Sequence, residues 1–221
     1  LQLATGEYIW IAESDDFCDD DMLECLVSQT KVNKNVSIVY CDSQNVDECG
    51  NSLEPIFHRS KERVEVMDGR VFIKNRMAFG NAIWNASSAI FKKEYASTIN
   101  PQYMSYVSAG DRLFWIELAE KGDIVHVYSA KNYFRQHTNK VTPTKKKQGV
   151  TSKEDYNIVR YLERKNLIDF ITSLYVRQSY MKDILQMDLD SENTRKELLK
   201  LWQRYNLFTI RRTELFLKIY H

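Results

Sequence analysis

Hydrophobic and polar positions change character abruptly near the start of the chain: Tyr8-Ile9-Trp10-Ile11-Ala12 runs straight into Glu13-Ser14-Asp15-Asp16. Aromatic and β-branched residues favour a pleated surface, so a short buried strand ending in carboxylates is predicted. A helix is predicted over 20–32, where Met22, Leu23, Leu26 and Val27 share a face and Asp19 to Asp21 complement the helix dipole. Val36 to Asp42 is β-branched and reads as a strand ending in an acid, followed by a turn at Glu48-Cys49-Gly50-Asn51. Ser52 to His58 reads as a short returning strand and Asp68 to Asn75 as a helix start. Ala82 to Phe91 reads as a strand lined with small residues, which let a ligand or another backbone come close. Gly110-Asp111 opens a helix through Leu113, Phe114, Ile116, Leu118 and Ala119, with Lys121-Gly122 as its C-cap. Strands are predicted at Asp123 to Tyr128 and again at Tyr133 to Arg135. Strands and helices in mixed order predict a three-layer α/β arrangement.

Residues 138–152 read as a linker, with Pro143, Lys145-Lys146-Lys147 and Gly149. Beyond it the period is helical throughout. Tyr156, Val159 and Leu162 repeat, then Leu167, Phe170 or Ile171, Leu174, Met181 and Leu185, then Leu198, Leu201, Trp202 and Tyr205. The predicted organisation is a body over 1–142, a basic linker over 143–152 and an all-helical extension over 153–221. The stripe on that extension suits core packing, or a partner or membrane surface.

The charge balance supports the division. The 221 residues carry a net charge of +1, which excludes bulk nucleic-acid binding as the main activity. Residues 1–144 hold 15 Lys and Arg against 20 Asp and Glu, whereas 145–221 hold 16 against 10. Acidic body and basic tail therefore present different surfaces. Cys18, Cys25, Cys41 and Cys49 lack metal-type spacing and read as reduced thiols of a cytoplasmic protein. No apolar run reaches the roughly 18 residues of a membrane span. The chain opens on Leu1-Gln2-Leu3 and reads as a piece of something longer.

Candidate chemistry starts at the first strand's end, where ligands bind in open α/β sheets. Glu13 and Asp15 are two apart and can point to one side of an extended chain. Two hard oxygen ligands there suit Mg²⁺ or Mn²⁺, and through it a phosphate. The alternative is that Asp15 or Asp16 caps the following helix, and the two readings are compatible. Asp111 reads, from the residues alone, as a helix N-cap.

Four segments in order resemble family-2 glycosyltransferases of the GT-A fold: Ala4-Thr5-Gly6-Glu7-Tyr8-Ile9 leading to Glu13-Ser14-Asp15-Asp16, Asn85-Ala86-Ser87-Ser88-Ala89-Ile90-Phe91, Gly110-Asp111-Arg112-Leu113-Phe114-Trp115, and Tyr133-Phe134-Arg135-Gln136-His137. The resemblance covers about residues 1–142 and corresponds to the middle and C-terminal part of that Rossmann-like domain. It implies that the nucleotide-binding units precede Leu1 and that residues 1–221 alone lack transferase activity. A sheet beginning at Tyr8 would then expose an apolar edge near Ile9 and Ile11 and favour association. The resemblance further implies that Glu13 and Asp15 bind the nucleotide-sugar donor and that Asp15 binds Mn²⁺ or Mg²⁺. Glu13 stands where Asp is commoner. Asp111 is implied as the catalytic base, although many relatives carry an acid where this chain has Gly110. Arg135 and His137 resemble the late basic pair near the diphosphate, with His137 a second metal ligand. Asn85, Ser87, Ser88 and Trp115 fall on the acceptor side. The processive signature Gln-x-x-Arg-Trp is absent, so the implied reaction is a single inverting transfer to a glycan or lipid-linked acceptor in cell-envelope polysaccharide synthesis. The implied location is cytoplasmic, with room for peripheral association at the inner membrane face and for oligomers. No nucleic acid is implied.

The competing expectation is a non-catalytic acceptor-binding or scaffolding module with a helical assembly tail. A phosphohydrolase would need an Asp nucleophile followed by Thr or Val, which Glu13-Ser14-Asp15-Asp16-Phe17 does not supply. A calcium-binding EF-hand loop would need a central Gly, which Asp15 to Glu24 lacks.

Overall fold

A computed structural model describes residues 3–53, 64–136 and 141–203. In chain order its elements are β1 (Tyr8–Trp10), β2 (Phe17–Cys18), α1 (Met22–Val32), β3 (Val36–Val46), β4 (Val64–Met67), α2 (Gly69–Phe72), β5 (Ala89–Lys92), α3 (Lys93–Ala96), α4 (Gly110–Ala119), β6 (Asp123–Arg135), α5 (Val141–Lys147), α6 (Val150–Arg164), α7 (Phe170–Gln186) and α8 (Glu192–Trp202). A π-helical turn, Ile73–Met77, continues α2, and 3₁₀ turns cover Ala86–Ser88 and Pro101–Ser105.

The strands form one mixed sheet in the order β1-β5-β3-β6-β2, with β4 also paired to β6. Among the described residues only β3 and β6 run parallel; β5 lies antiparallel between β1 and β3. Strand alternation divides the core. Val39 and Cys41 of β3 point toward α1, where Met22 and Leu26 are buried with Val36, Ile90, Val125 and Val127. Ile38 and Tyr40 point the other way, into a larger core with Phe72, Ile73, Phe91, Leu113, Trp115 and Leu118. The predicted α/β arrangement with layers on both faces of a mixed sheet is present. No helix among the described residues is long and apolar enough to cross a membrane, and all four cysteines are free.

Several boundaries differ from expectation. The strand predicted over 82–91 begins only at Ala89, because Asn85 accepts the Ser87 N–H and bends 86–88 into a 3₁₀ turn. The two strands predicted at 123–128 and 133–135 are one, β6, since it exchanges its second partner from β4 to β2 along its length while staying on β3. Gly122 does not cap α4, which ends at Ala119 with Glu120 as its C-cap. A Cβ at Gly122 would lie 2.2 Å from the Asn35 carbonyl oxygen, so close packing against the start of β3 accounts for the glycine. At the sheet's end Ile9 is 8% exposed and belongs to the core, so of the expected apolar pair only Ile11, at 39%, faces solvent. Ser52 pairs with Val46, and the rest of the strand predicted to His58 lies largely outside the described residues.

The linker expectation is also corrected. Residues 141–147 and 150–164 are helical, joined at Gly149 in the left-handed region with φ 73°. The extension is all-helical as far as it is described, and of its predicted stripe Leu167 and Met181 face the core while the rest of the inward face on α7 differs. Phe170, Ile171 and Leu185 are exposed, while Val176, Tyr180 and Ile184 are buried. Ile158, Val159, Leu162, Val176, Leu198 and Trp202 join the same core as the body's Phe72 and Leu113. That covering explains why every residue from Arg112 to Ala119 is buried: the sheet takes one side of α4 and the extension the other.

Polar contacts run across the same seam. Lys74 pairs with Asp169, the N-cap of α7, at 2.6 Å, and Tyr161 and Lys165 donate to Glu120. The Lys74 ammonium and the Thr172 N–H hold the Asp169 carboxyl down at about 2. A folded pKa below the unfolded value stabilises fully above the ordinary carboxylate range and is lost as pH falls toward 2. Both side chains are largely solvated, so the gain is under about 1 kcal/mol. Lys74→Met should therefore be slightly less stable than wild type at pH 6, with the gap shrinking by pH 2 in urea titrations; a gap that widens toward acid would overturn the assignment.

Candidate active site

The acidic loop after β1 is shaped by three segments distant in sequence. Ser87 Oγ accepts the Glu13 N–H at 3.0 Å, and the Trp10 indole N–H donates to the Ser87 carbonyl at 2.8 Å. Asp16 is the anchor. Its Oδ2 accepts from Asn85 Nδ2 at 2.5 Å and Ser87 Oγ at 3.2 Å, and its Oδ1 accepts the Arg135 N–H at 3.0 Å. The Arg135 guanidinium then donates to the Asp15 carbonyl at 2.9 Å and to the Glu48 carbonyl at 2.6 Å, lying over the Phe17 ring. Phe17 in turn stacks on Tyr133 with ring centroids 4.5 Å apart. With Asp16 turned inward, the loop carries Glu13 and Asp15 on its exposed side.

Asp111 stands at the second site. It is the second residue of α4, whose N-cap is Ala109, so the N-cap reading of Asp111 does not hold. Its Oδ2 accepts from Asn81 Nδ2 at 2.8 Å and its Oδ1 from the Arg112 N–H at 2.8 Å. The carboxylate is open to solvent but set in a dense surround. That desolvation raises its pKa, offset in part by the Arg112 N–H and charge. The preceding glycine is required by packing, since a Cβ at Gly110 would lie 2.5 Å from the Tyr103 carbonyl oxygen. A larger side chain at position 110 has no room in this backbone.

The segment 81–85 joins the two sites. Asn81 holds Asp111 and Asn85 holds Asp16. Four residues of extended chain span at most about 14 Å, so both acids hang from anchors no farther apart than that. Trp84, 61% exposed, stands on the same segment.

Two groups of expected site residues require correction. Trp115 is 1% exposed and packs edge-on against Phe91 and Phe114, so it is core and touches no acceptor. Asn85, Ser87 and Ser88 are buried and bonded internally, Ser88 to the Asn85 carbonyl. They shape the acidic loop from behind. Arg135 donates to backbone carbonyls and braces that loop. His137 lies outside the described residues.

Sequence reasoning missed Asn81 and Arg112. Arg112 is 2% exposed, and its guanidinium donates to the Met77 and Ala78 carbonyls, to Asp155 at 2.5 Å and to the Tyr180 hydroxyl at 2.6 Å. An arginine beside an acid at a helix start looks like a solvated pair until its surroundings are known. Among the described residues no cluster of three or more His, Cys, Asp or Glu side chains could hold a metal by itself. The chain matches no protein-family model and no curated protein.

Proposed function

We propose that the protein is a metal-dependent, inverting glycosyltransferase of the GT-A type, transferring one sugar from a nucleotide diphosphate to a glycan or lipid-linked acceptor. The observation that carries the reading is the pair of acid sites joined by 81–85: exposed carboxylates at a strand end, and a separate carboxylate of raised pKa on α4. Such a division suits a reaction with two distinct demands, anchoring a diphosphate and removing a proton.

Asp111 takes the proton from the acceptor hydroxyl as that oxygen attacks the anomeric carbon. The new carbon–oxygen bond forms as the bond to the diphosphate breaks, and its electron pair leaves with the phosphate oxygen. Burial that raises the base's pKa strengthens it as a proton acceptor, and Asn81 fixes which oxygen faces the acceptor. Glu13 and Asp15 fit a hard cation bound through one or two carboxylates plus substrate phosphates, so three protein ligands are not required. Bound there, Mn²⁺ or Mg²⁺ would supply Lewis-acid neutralisation of the departing diphosphate. The mixed sheet supports the GT-A reading, and among the described residues β1 pairs with β5 alone.

Asp15→Ala should abolish Mn²⁺-dependent binding of nucleoside diphosphates by the intact protein, while the melting temperature stays within a few degrees because Asp16 still anchors the loop. Calorimetry with Mn²⁺ and UDP, GDP or CDP is the measurement. Undiminished metal-dependent binding in the variant removes Asp15 from the site. No binding by wild type favours the acceptor-docking module instead.

A further inference from the structure

The helical extension reaches directly into the corner that holds Asp111. Glu154, on the second turn of α6, turns its carboxylate toward the segment just before α4. Its Oε1 accepts the Val107 N–H at 2.7 Å, and its Oε2 accepts the Ser108 N–H at 2.8 Å and the Ala109 N–H at 2.9 Å. The helix has no cap from its own N-cap residue, Ala109. Glu154 therefore holds, from another element, the backbone donors of the turn leading into the helix, up to its N-cap residue. Thr151 adds a hydroxyl contact to Ser108 at 2.7 Å.

The next residue reaches the neighbour of Asp111. Asp155 pairs with Arg112, and the same guanidinium holds the Met77 and Ala78 carbonyls, four and three residues before Asn81. Two adjacent carboxylates of α6 thus hold the turn before the helix bearing Asp111 and, through Arg112, the backbone just before its partner Asn81.

We propose that Glu154 and Asp155 are positioning residues for Asp111, which makes the helical extension a structural part of the active site. The proposal rests on the transferase reading for its consequence in catalysis, but its geometry can be tested without turnover. Around Asp111 the charged groups are Arg112 on its own helix and Asp155 on α6. Burial is the main cause of the raised pKa of Asp111; the charge of Asp155 raises it further and that of Arg112 lowers it.

The experiment follows the Asp111 carboxyl by ¹³C NMR through a pH titration, in wild type, Asp155→Asn and Glu154→Gln, each checked for a cooperative melt. In D155N the Asp111 pKa should fall, because a repelling charge is lost and Arg112 is left uncompensated. In E154Q one accepting oxygen becomes a donor facing N–H groups. Amide exchange at Val107 to Ala109 should accelerate, and in the intact enzyme kcat should fall by up to about 100-fold with unchanged affinity for Mn²⁺ and nucleoside diphosphate. Glu154→Asp, keeping the charge, should recover part of that loss. Folded variants with a wild-type Asp111 titration and wild-type kcat would overturn the proposal. If D155N shifts the titration but Asp111→Asn leaves turnover unchanged, positioning stands and the base assignment fails.

Discussion

Under the transferase proposal, replacing Asp111 with Asn is expected to slow sugar transfer by about 10²–10⁴-fold while donor binding survives, the range typical for loss of a general base. The substitution is close to isosteric, and its one amide oxygen can still accept the Arg112 N–H, while its nitrogen takes the place of the oxygen that accepts from Asn81. What is lost is the ability to take a proton. The pH profile gives a second, sharper readout. Only the ionised carboxylate serves as base, and desolvation raises the pKa of Asp111 above the usual range. The acid limb of kcat/KM should therefore lie above that of an ordinary aspartate, and it should vanish in the variant's residual activity. Steady-state kinetics of the intact enzyme, with nucleoside-diphosphate release as the signal, provide the test. Parental turnover in D111N would reduce Asp111 to a residue of the first helical turn.

The second large effect concerns stability. Arg112→Met should cost about 3–5 kcal/mol, since removing one partner of a buried ion pair leaves the other uncompensated. Here the loss falls on Asp155, on the Tyr180 hydroxyl and on the Met77 and Ala78 carbonyls together. For a chain of this size the melting temperature should drop by roughly 10 °C. The double variant Arg112→Met, Asp155→Leu should recover much of the loss, because a hydrophobic pair of similar volume often matches a buried ion pair. Urea unfolding of the single and double variants decides the matter. A loss below about 1 kcal/mol in the single variant would mean that the guanidinium contributes no more than an exposed ion pair.

The pairing of Asp111 with Arg112 shows how chemistry was legible in the chain while placement was not. The acid was readable as a helix-start residue, yet the arginine beside it carried no sign that Asp155 and Tyr180 would bury it. Asp16 is a similar case. It stood in an evident acidic cluster, but only contacts with Asn85, Ser87 and Arg135, more than 60 residues away, turn it inward and leave Glu13 and Asp15 outward.

By itself the sequence determined the periodicities: β-branched runs in β3 and β6, helical spacing in α1, α4 and the extension, and the order that makes an α/β sheet with helices on both faces. Those signals are local, set by side-chain period and backbone preference. The tertiary structure alone decided that the extension shares the body's core, that Trp115 and the Asn85 to Ser88 turn lie inside, and that Glu154 holds the Ala109 N–H, 45 residues earlier in the chain. Each of these depends on which surfaces meet. A carboxylate, a guanidinium or an indole reads the same in the chain whether it faces water or a neighbour, and only packing assigns the partner that gives it a role.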